Sequence, residues 1–272
     1  SLVFSWMSGS ALADAAALGG VLIPSMRRNG YDPAFAAGLT AASSTMGPVM
    51  PPSISAVLYA VLTGSSVAAT FFGGVVPAFL IFMALTGYIY FYARKRPELT
   101  ADPVPREEAV ATLLKAAPIC VAPIVLLGGI LGGIFTPTEA AAVTGMYLLV
   151  LSFAFRWLSL KGLYEALAGT AMTTGRVMVI ASVGALFSYI MAREQIPQEV
   201  ADLLTSITDN PYFFLLLLNI FLLLVGMVLE PASALLVTVP IFYPIAQRYG
   251  IDPIHLGVVV IFNLTLGLMT PP

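Results

Sequence analysis

Apolar residues run in blocks close to the roughly 20 residues that cross a bilayer, and helix-breaking or polar residues interrupt them at few places. Phe71 to Tyr92, Ala116 to Phe135 and Thr173 to Met191 read as plain spanning helices. In "TPTE", Thr136 supplies an N-cap, Pro137 the first helical position and Glu139 the third, a capping box whose helix reaches Trp157. Leu160, Leu163, Tyr164 and Leu167 recur at spacings of three and four, which predicts a short helix in the interface plane ahead of Thr173. "PQEVADLLTSITDNP" predicts a second interfacial helix. Phe4 to Met26 carries the small-residue stretch "SGSALADAAALGG" and ends at Arg27-Arg28. Tyr212 to Leu229 halts at Glu230-Pro231, and Ala232 to Tyr249 follows with no loop between.

Two interruptions share one grammar. A helix starting at about Ala34 runs into "SSTMGPVMPPS" (Ser43 to Ser53) and resumes over Ile54 to Leu62. The last ten residues, "NLTLGLMTPP", repeat the pattern at an offset of 220 positions. At that offset Pro24 meets Pro244, Arg28 meets Arg248, Gly30 meets Gly250, and Asp32-Pro33 meets Asp252-Pro253. Thr45 then meets Thr265, Gly47 meets Gly267, and Pro51-Pro52 meets Pro271-Pro272. An ungapped match containing two G-x-D-P turns is an internal repeat, not a coincidence of common residues. Each copy also carries a hairpin that enters and returns on one side. In the second its tip is "LEPAS" (Leu229 to Ser233), and in the first "MSGSA" (Met7 to Ala11).

Composition places this pattern in lipid. Hydrophobic residues make up 59% of the chain and charged residues 10%, with a mean hydropathy of +0.94, against about 45–50% and about 25% in soluble domains. One cysteine (Cys120) and one histidine (His255) exclude a disulfide framework and argue against a Cys/His metal site. The net charge of -2 supplies no footprint for nucleic acid, and no cleavable signal peptide is visible, as Ser1 already opens inside an apolar segment. The fold class expected is an all-α polytopic membrane protein.

Charge orients it. With Arg94, Lys95, Arg96 and Arg106 cytoplasmic, the crossings place Arg27, Arg28, Arg156 and Lys161 on the same side and leave Arg193 and Arg248 outside, as the positive-inside rule expects. The first G-x-D-P turn then lies inside and the second outside, so the repeats are inverted. Inverted repeats with discontinuous helices and re-entrant hairpins are the build of secondary transporters, whose sites lie near the midplane. Irregular backbone at that depth survives only when covered by protein or lining a wet cavity. The expected organisation is a first transport half at 1–70, connecting and interfacial helices at 71–210, and a second transport half at 211–272. The first hairpin lacks most of its entering arm, and the second copy stops where the first continues into Ser53, so the chain reads as truncated at both ends.

"SGSALADAAALGGVLIPSMRRNGYDPAFAAGLTAASSTMGPVMPPS", "GGIFTPTEAAAV" and "GIDPIHLGVVVIFNLTLGLMTPP" resemble the large membrane subunit of tripartite ATP-independent periplasmic (TRAP) transporters, across essentially the whole chain. The resemblance implies an elevator-type, sodium-coupled importer of small organic acids such as C4-dicarboxylates or sialic acid, in a bacterial or archaeal inner membrane. It implies a periplasmic substrate-binding protein and a small, Q-type membrane subunit as partners, and Na+ as coupling ion with no other cofactor. Sodium sites are implied where hairpin tips meet broken helices: Ser8, Gly9 and Ser10 with Ser43, Ser44, Thr45 and Gly47, and Asn263, Thr265, Gly267 and Thr270 with the second tip. Ser10, Asp14, Pro48, Glu230, Pro231 and Ser233 would border the substrate pathway.

Several residues carry a plainer alternative. Ser43, Ser44 and Thr45 either face an ion or bond back to their own helix. Glu230 is either an ion or proton partner or a cap on the following half-helix. Asp14 either serves the site or pairs within its hairpin. Arg176, near the inner start of a spanning helix, snorkels to the interface or meets an anion. Glu139 reads as the capping acid, His255 as interfacial, Cys120 as a small core residue, and Gly128, Gly129, Gly132 and Gly133 as sites of close helix packing. The nearest alternative function is a sodium-coupled carboxylate symporter that needs no binding protein. A membrane enzyme is disfavoured, because HExxH, GxSxG and a convincing acid pair are all missing, and a passive channel is a third class.

Overall fold

The structure, a computed structural model, describes residues 2–96, 99, 105–207 and 210–270. Twelve helices and no strand are found among them. They are α1 (Leu2–Ser8), α2 (Ala11–Arg28), α3 (Pro33–Ser44), α4 (Ile54–Thr63), α5 (Val67–Arg94), α6 (Arg106–Leu131), α7 (Pro137–Ala154), α8 (Leu160–Arg193), α9 (Ile196–Ile207), α10 (Pro211–Gly226), α11 (Pro231–Arg248) and α12 (Pro253–Gly267). Four of them, α5 to α8, are long and apolar enough to cross a membrane. The chain divides into two compact units, one of residues 1–99 with 179–272 and one of residues 100–178.

In the larger unit, helix ends repeat at the offset read from the sequence. The N-caps of α2 and α11 are Ser10 and Glu230, and those of α3 and α12 are Asp32 and Asp252. Gly30 and Gly250 both adopt positive φ, 84° and 68°, the left-handed conformation glycine takes without a Cβ penalty. Around them the same two bonds close each helix: Gly30 N–H to Arg27 O (3.1 Å) and Tyr31 N–H to Met26 O (3.1 Å), then Gly250 N–H to Gln247 O and Ile251 N–H to Ala246 O (both 3.0 Å). This is the Schellman arrangement, followed at once by an aspartate cap and a proline at the first turn. The G-x-D-P motif is therefore a stop and a start within four residues.

α2 packs on α3, and α10 on α12; α11 is wrapped by α4, α9 and α12. Leu218, Leu222, Leu235, Ile245, Leu264 and Tyr59 are fully buried there. Between helices in lipid, apolar side chains gain little from leaving one hydrocarbon phase for another, so close packing of small residues decides which faces meet. α5 follows this rule: Thr70, Phe71, Gly74 and Ala78 are buried, while Phe72, Val76, Phe79, Leu80 and Met83 are exposed and form a lipid-facing stripe. A methyl group placed on Gly74 would lie 2.4 Å from Val49 O. Tyr59 of α4 packs its ring against Gly257 and donates its hydroxyl to Pro253 O at 2.6 Å, pinning the first repeat to the start of α12.

Three expectations are corrected. The interfacial helix predicted before Thr173 does not exist as a separate element: α8 runs unbroken for 34 residues, about 51 Å at 1.5 Å per residue. Its first turns form a helix-competent surface, and Gly169 and Gly175 weaken a helix by only about 1 kcal/mol each without stopping it. Arg176 consequently lies midway along α8 on its exposed side, not near a helix start. Second, α6 begins at Arg106, ten residues before the predicted span, with Glu107 and Glu108 in its first turn, where acids favour the positive helix end. Third, the glycines near the end of α6 build a turn: Gly129 admits the Phe135 ring and Gly133 has φ 68°, while Gly128 meets nothing. Cys120 is half-buried, and the capping box at Thr136 and Glu139 forms as read.

Tyr59→Phe is expected to cost about 1 kcal/mol and Tyr59→Ala about 3–5 kcal/mol. Detergent-solubilised protein should show the ranking as successive falls in the unfolding midpoint; equal midpoints for wild type and Tyr59→Ala would contradict this pin.

Candidate functional site

The first hairpin tip is a two-residue break. α1 ends at Ser8, Gly9 takes φ 61°, and Ser10 caps α2. Asp14, fully buried one turn into α2, organises the tip: Ser5 Oγ donates to its Oδ2 at 2.7 Å and Ser8 Oγ donates to its Oδ1. The carboxylate thus pairs within the hairpin, and Ser5, which the sequence did not single out, is half of the reason. Only the structure could expose Ser5, because it lies on a separate helix nine residues away.

The broken helix closes over this tip. A methyl group on Gly9 would lie 2.6 Å from Pro52 O, and one on Gly47 would lie 2.9 Å from Asp14 Oδ2 and 3.1 Å from Ser10 C. Both glycines are therefore contact points between tip and break. Within the break the α-helical ladder gives way to tighter turns, Met46 N–H to Ser43 O (3.4 Å), Gly47 N–H to Ser44 O (3.1 Å) and Val49 N–H to Met46 O (3.2 Å). Prolines 48, 51 and 52 cannot donate, so the carbonyls four residues earlier lose their usual partners. The Pro48 carbonyl is answered by the Ser53 hydroxyl, and Ser53 also accepts from Ala56 N–H at 3.1 Å to start α4.

Hydroxyls in the break bond back to their own helix. Ser43 and Ser44 donate to Thr40 O at 3.0 and 2.8 Å, and Thr45 donates to Ala42 O at 2.7 Å. Thr265 donates to Ile261 O (2.6 Å) and Thr270 to Gly267 O (2.7 Å) in the second copy. A hydroxyl whose proton is spent in this way keeps oxygen lone pairs for an electron-poor partner. A cavity of about 310 Å³ is bounded by Ala11, Leu12, Ala15, Ser44, Thr45 and Met269 among others, so both repeats reach it. Thr45 also lies 3.7 Å from Met269 Sδ.

The second tip is built differently. Glu230 caps α11, accepting from Ala232 N–H (3.1 Å) and Ser233 N–H (3.2 Å), with Pro231 buried at the first helical position. Of the two roles open for Glu230, capping is the one its carboxylate performs here. Gly226 and Gly267 bring α10 against the end of α12: a methyl group on Gly267 would lie 2.6 Å from Gly226 Cα. Asn263, 7% exposed, donates to Val259 O at 2.7 Å and to Asn219 Oδ1. Pro271-Pro272 lies outside the described residues. The structure therefore joins Ser8, Gly9, Ser10 and Asp14 to Gly47 and Pro52, and Gly267 to Gly226. It ties Glu230 and Ser233 to each other through the cap.

Comparison with known proteins fits this construction. The family model for the DctM component of tripartite ATP-independent periplasmic transporters matches residues 1–272. The chain is 44% identical over its full length to the sialic acid TRAP transporter large permease protein SiaM of Vibrio cholerae. It is 40% identical to the C4-dicarboxylate TRAP transporter large permease protein DctM of Pseudomonas aeruginosa. It spans 64% of the length of each of these two. A further relative, the isethionate TRAP transporter permease protein DctMQ of Oleidesulfovibrio alaskensis, is 36% identical, and the chain covers 43% of it. With apolar helices long enough to span a membrane, hairpin tips seated on broken helices and a family match from end to end, the chain belongs to the DctM component family of tripartite ATP-independent periplasmic transporters.

Proposed function

We propose that the protein is the large permease subunit of a sodium-coupled secondary transporter that imports a small organic acid of the C4-dicarboxylate or sialic-acid kind. In this reading the acid is delivered by a periplasmic binding protein, and a small Q-type membrane subunit completes the carrier in the inner membrane. The family match and the printed substrates of its relatives support the class of cargo. The observation that carries the mechanism is the seating of the first hairpin tip on the broken helix at Gly9, Gly47 and Asp14.

Sodium is small, hard and liganded by oxygen. Ser8, Gly9, Ser10, Ser43, Ser44, Thr45 and Gly47 supply hydroxyl and carbonyl oxygens around one tip, and Asn263, Thr265, Gly267 and Thr270 supply them beside the other. Back-bonded hydroxyls suit this role, because their protons already point away. The positive ends of the half-helices that start at Ala11 and Pro231 favour an anion between the tips, with Ser10, Asp14, Pro48, Glu230, Pro231 and Ser233 along its path. Ser5 and Ser8 hold the Asp14 carboxylate within the hairpin through two hydroxyl hydrogen bonds, which fixes its place along this path. Inverted repeats give this unit two equivalent faces, so it can carry the site across the membrane as an elevator while other helices stay fixed.

Uptake into proteoliposomes holding the complete carrier tests the proposal. Transport should require both an inward sodium gradient and substrate-loaded binding protein; a full rate without the gradient would remove coupling, and a full rate without the binding protein would favour the simpler symporter. Thr45→Val and Thr265→Val are each expected to weaken sodium dependence more than Cys120→Ala, and identical sodium titrations for all three would remove the site assignment. Gly47→Ala, whose methyl meets a carboxylate and a backbone, is expected to lower stability by about 1–3 kcal/mol and to abolish uptake. Gly128→Ala, on a helix and in open space, should lower neither when midpoints and initial rates are compared, since alanine favours a helix over glycine by about 1 kcal/mol.

A further inference from the structure

α10 is an almost wholly apolar helix, "PYFFLLLLNIFLLLVG", with one amide in it, Asn219. An amide inside a membrane protein is costly unless its donors and acceptor are met. Asn219 Nδ2 donates to Leu215 O at 2.6 Å, on its own helix, and Asn219 Oδ1 accepts from Asn263 Nδ2 on α12. Asn263 Nδ2 spends its other proton on Val259 O at 2.7 Å. The order of this chain is dictated by its ends, because a backbone carbonyl can only accept. Leu215 O holds the Asn219 nitrogen on α10, which turns the Asn219 oxygen toward α12, which in turn draws the Asn263 nitrogen. Asn263 Oδ1 is the atom left over, on a residue that is 7% exposed.

We infer that Asn219 is a positioning residue for cation binding: it locks the Asn263 amide so that its carbonyl oxygen, not its NH2 group, is presented as a ligand to Na+. The inference rests on the sodium-coupled reading above and deepens it. An unlocked amide can rotate by half a turn at little steric cost and would then offer two partial positive charges to the ion. The first repeat needs no such device, since the position matching Asn263 is Ser43, a hydroxyl whose single proton goes to Thr40 O. A residue two helical turns ahead of Gly226 thus acts on the site through its bond to Asn263.

The test uses the complete purified permease in detergent and follows its thermal unfolding midpoint in NaCl against choline chloride at equal ionic strength. In the wild type NaCl should raise the midpoint with a measurable half-saturating concentration; if it does not, the sodium reading itself fails. Given that response, Asn219→Leu is expected to raise the half-saturating Na+ concentration about tenfold, as loss of an outer-shell partner commonly does. Asn219→Ala serves the same purpose if the branched side chain is not accommodated, and Asn219→Ser, which keeps an acceptor, should recover most of the affinity. Asn263→Leu should shift the titration at least as far, and adding Asn219→Leu to it should change nothing more. A lower midpoint in choline with an unchanged Na+ titration would mean that Asn219 is merely structural and would overturn the inference. An Asn263→Leu protein that titrates like wild type would overturn it as well.

Discussion

Every backbone N–H and C=O that a helix break releases within lipid must find a partner inside the protein, and the architecture follows from how this is met. Ser10, Asp32, Ser53, Ser66, Glu230 and Asp252 each cap the helix that starts after them. Gly30 and Gly250 close the helices that end before them with matching pairs of bonds. The remaining broken stretch, from Thr45 to Ser53, is almost entirely buried and is covered by protein on several sides. Gly9 brings the hairpin tip against Pro52 and Ile54, and Gly74 brings α5 against Val49. The breaks are therefore possible only where other helices are narrow enough to reach their backbone.

The same cover makes the breaks chemically useful. Hydroxyls that donate to their own helix keep oxygen lone pairs for a further partner, which is the property the proposed ion sites draw on. The two halves reach this state by different residues, although their helices start and stop in register. At the tip, Ser10 of the first repeat corresponds to Glu230 of the second; one turn later Asp14 corresponds to Ala234. The carboxylate has moved by one turn between copies. In the first half it lies inside the hairpin and gathers Ser5 and Ser8; in the second it caps the returning arm. The two tips, alike in the helix ends they join, thus differ in where their carboxylate lies.

Much of this was legible beforehand. The offset of 220 positions, the G-x-D-P turns, the hairpin tips and the breaks all appear as proline, glycine and aspartate punctuation in an apolar text, since those residues act through backbone geometry alone. Helix ends without such marks were misread. The stretch leading into Thr173 carries an interfacial periodicity but no stop, and α8 runs through it; α6 starts early because Pro105, Glu107 and Glu108 form a competent helix start that hydropathy ignores. The glycines near Gly129 looked like helix-packing sites and proved to form a turn, because spacing alone does not say what fills the space beside them.

The sequence by itself determined the class of protein, the repeat and the places where helices break, because composition and backbone preference are local properties. Pairings across helices were decided by tertiary structure alone. Ser5 with Asp14, Tyr59 with Pro253 and Asn219 with Asn263 join residues 9, 194 and 44 positions apart. No pattern marks such partners, since a hydrogen bond between helices depends on which faces meet, and that is settled by the shapes of the small residues between them.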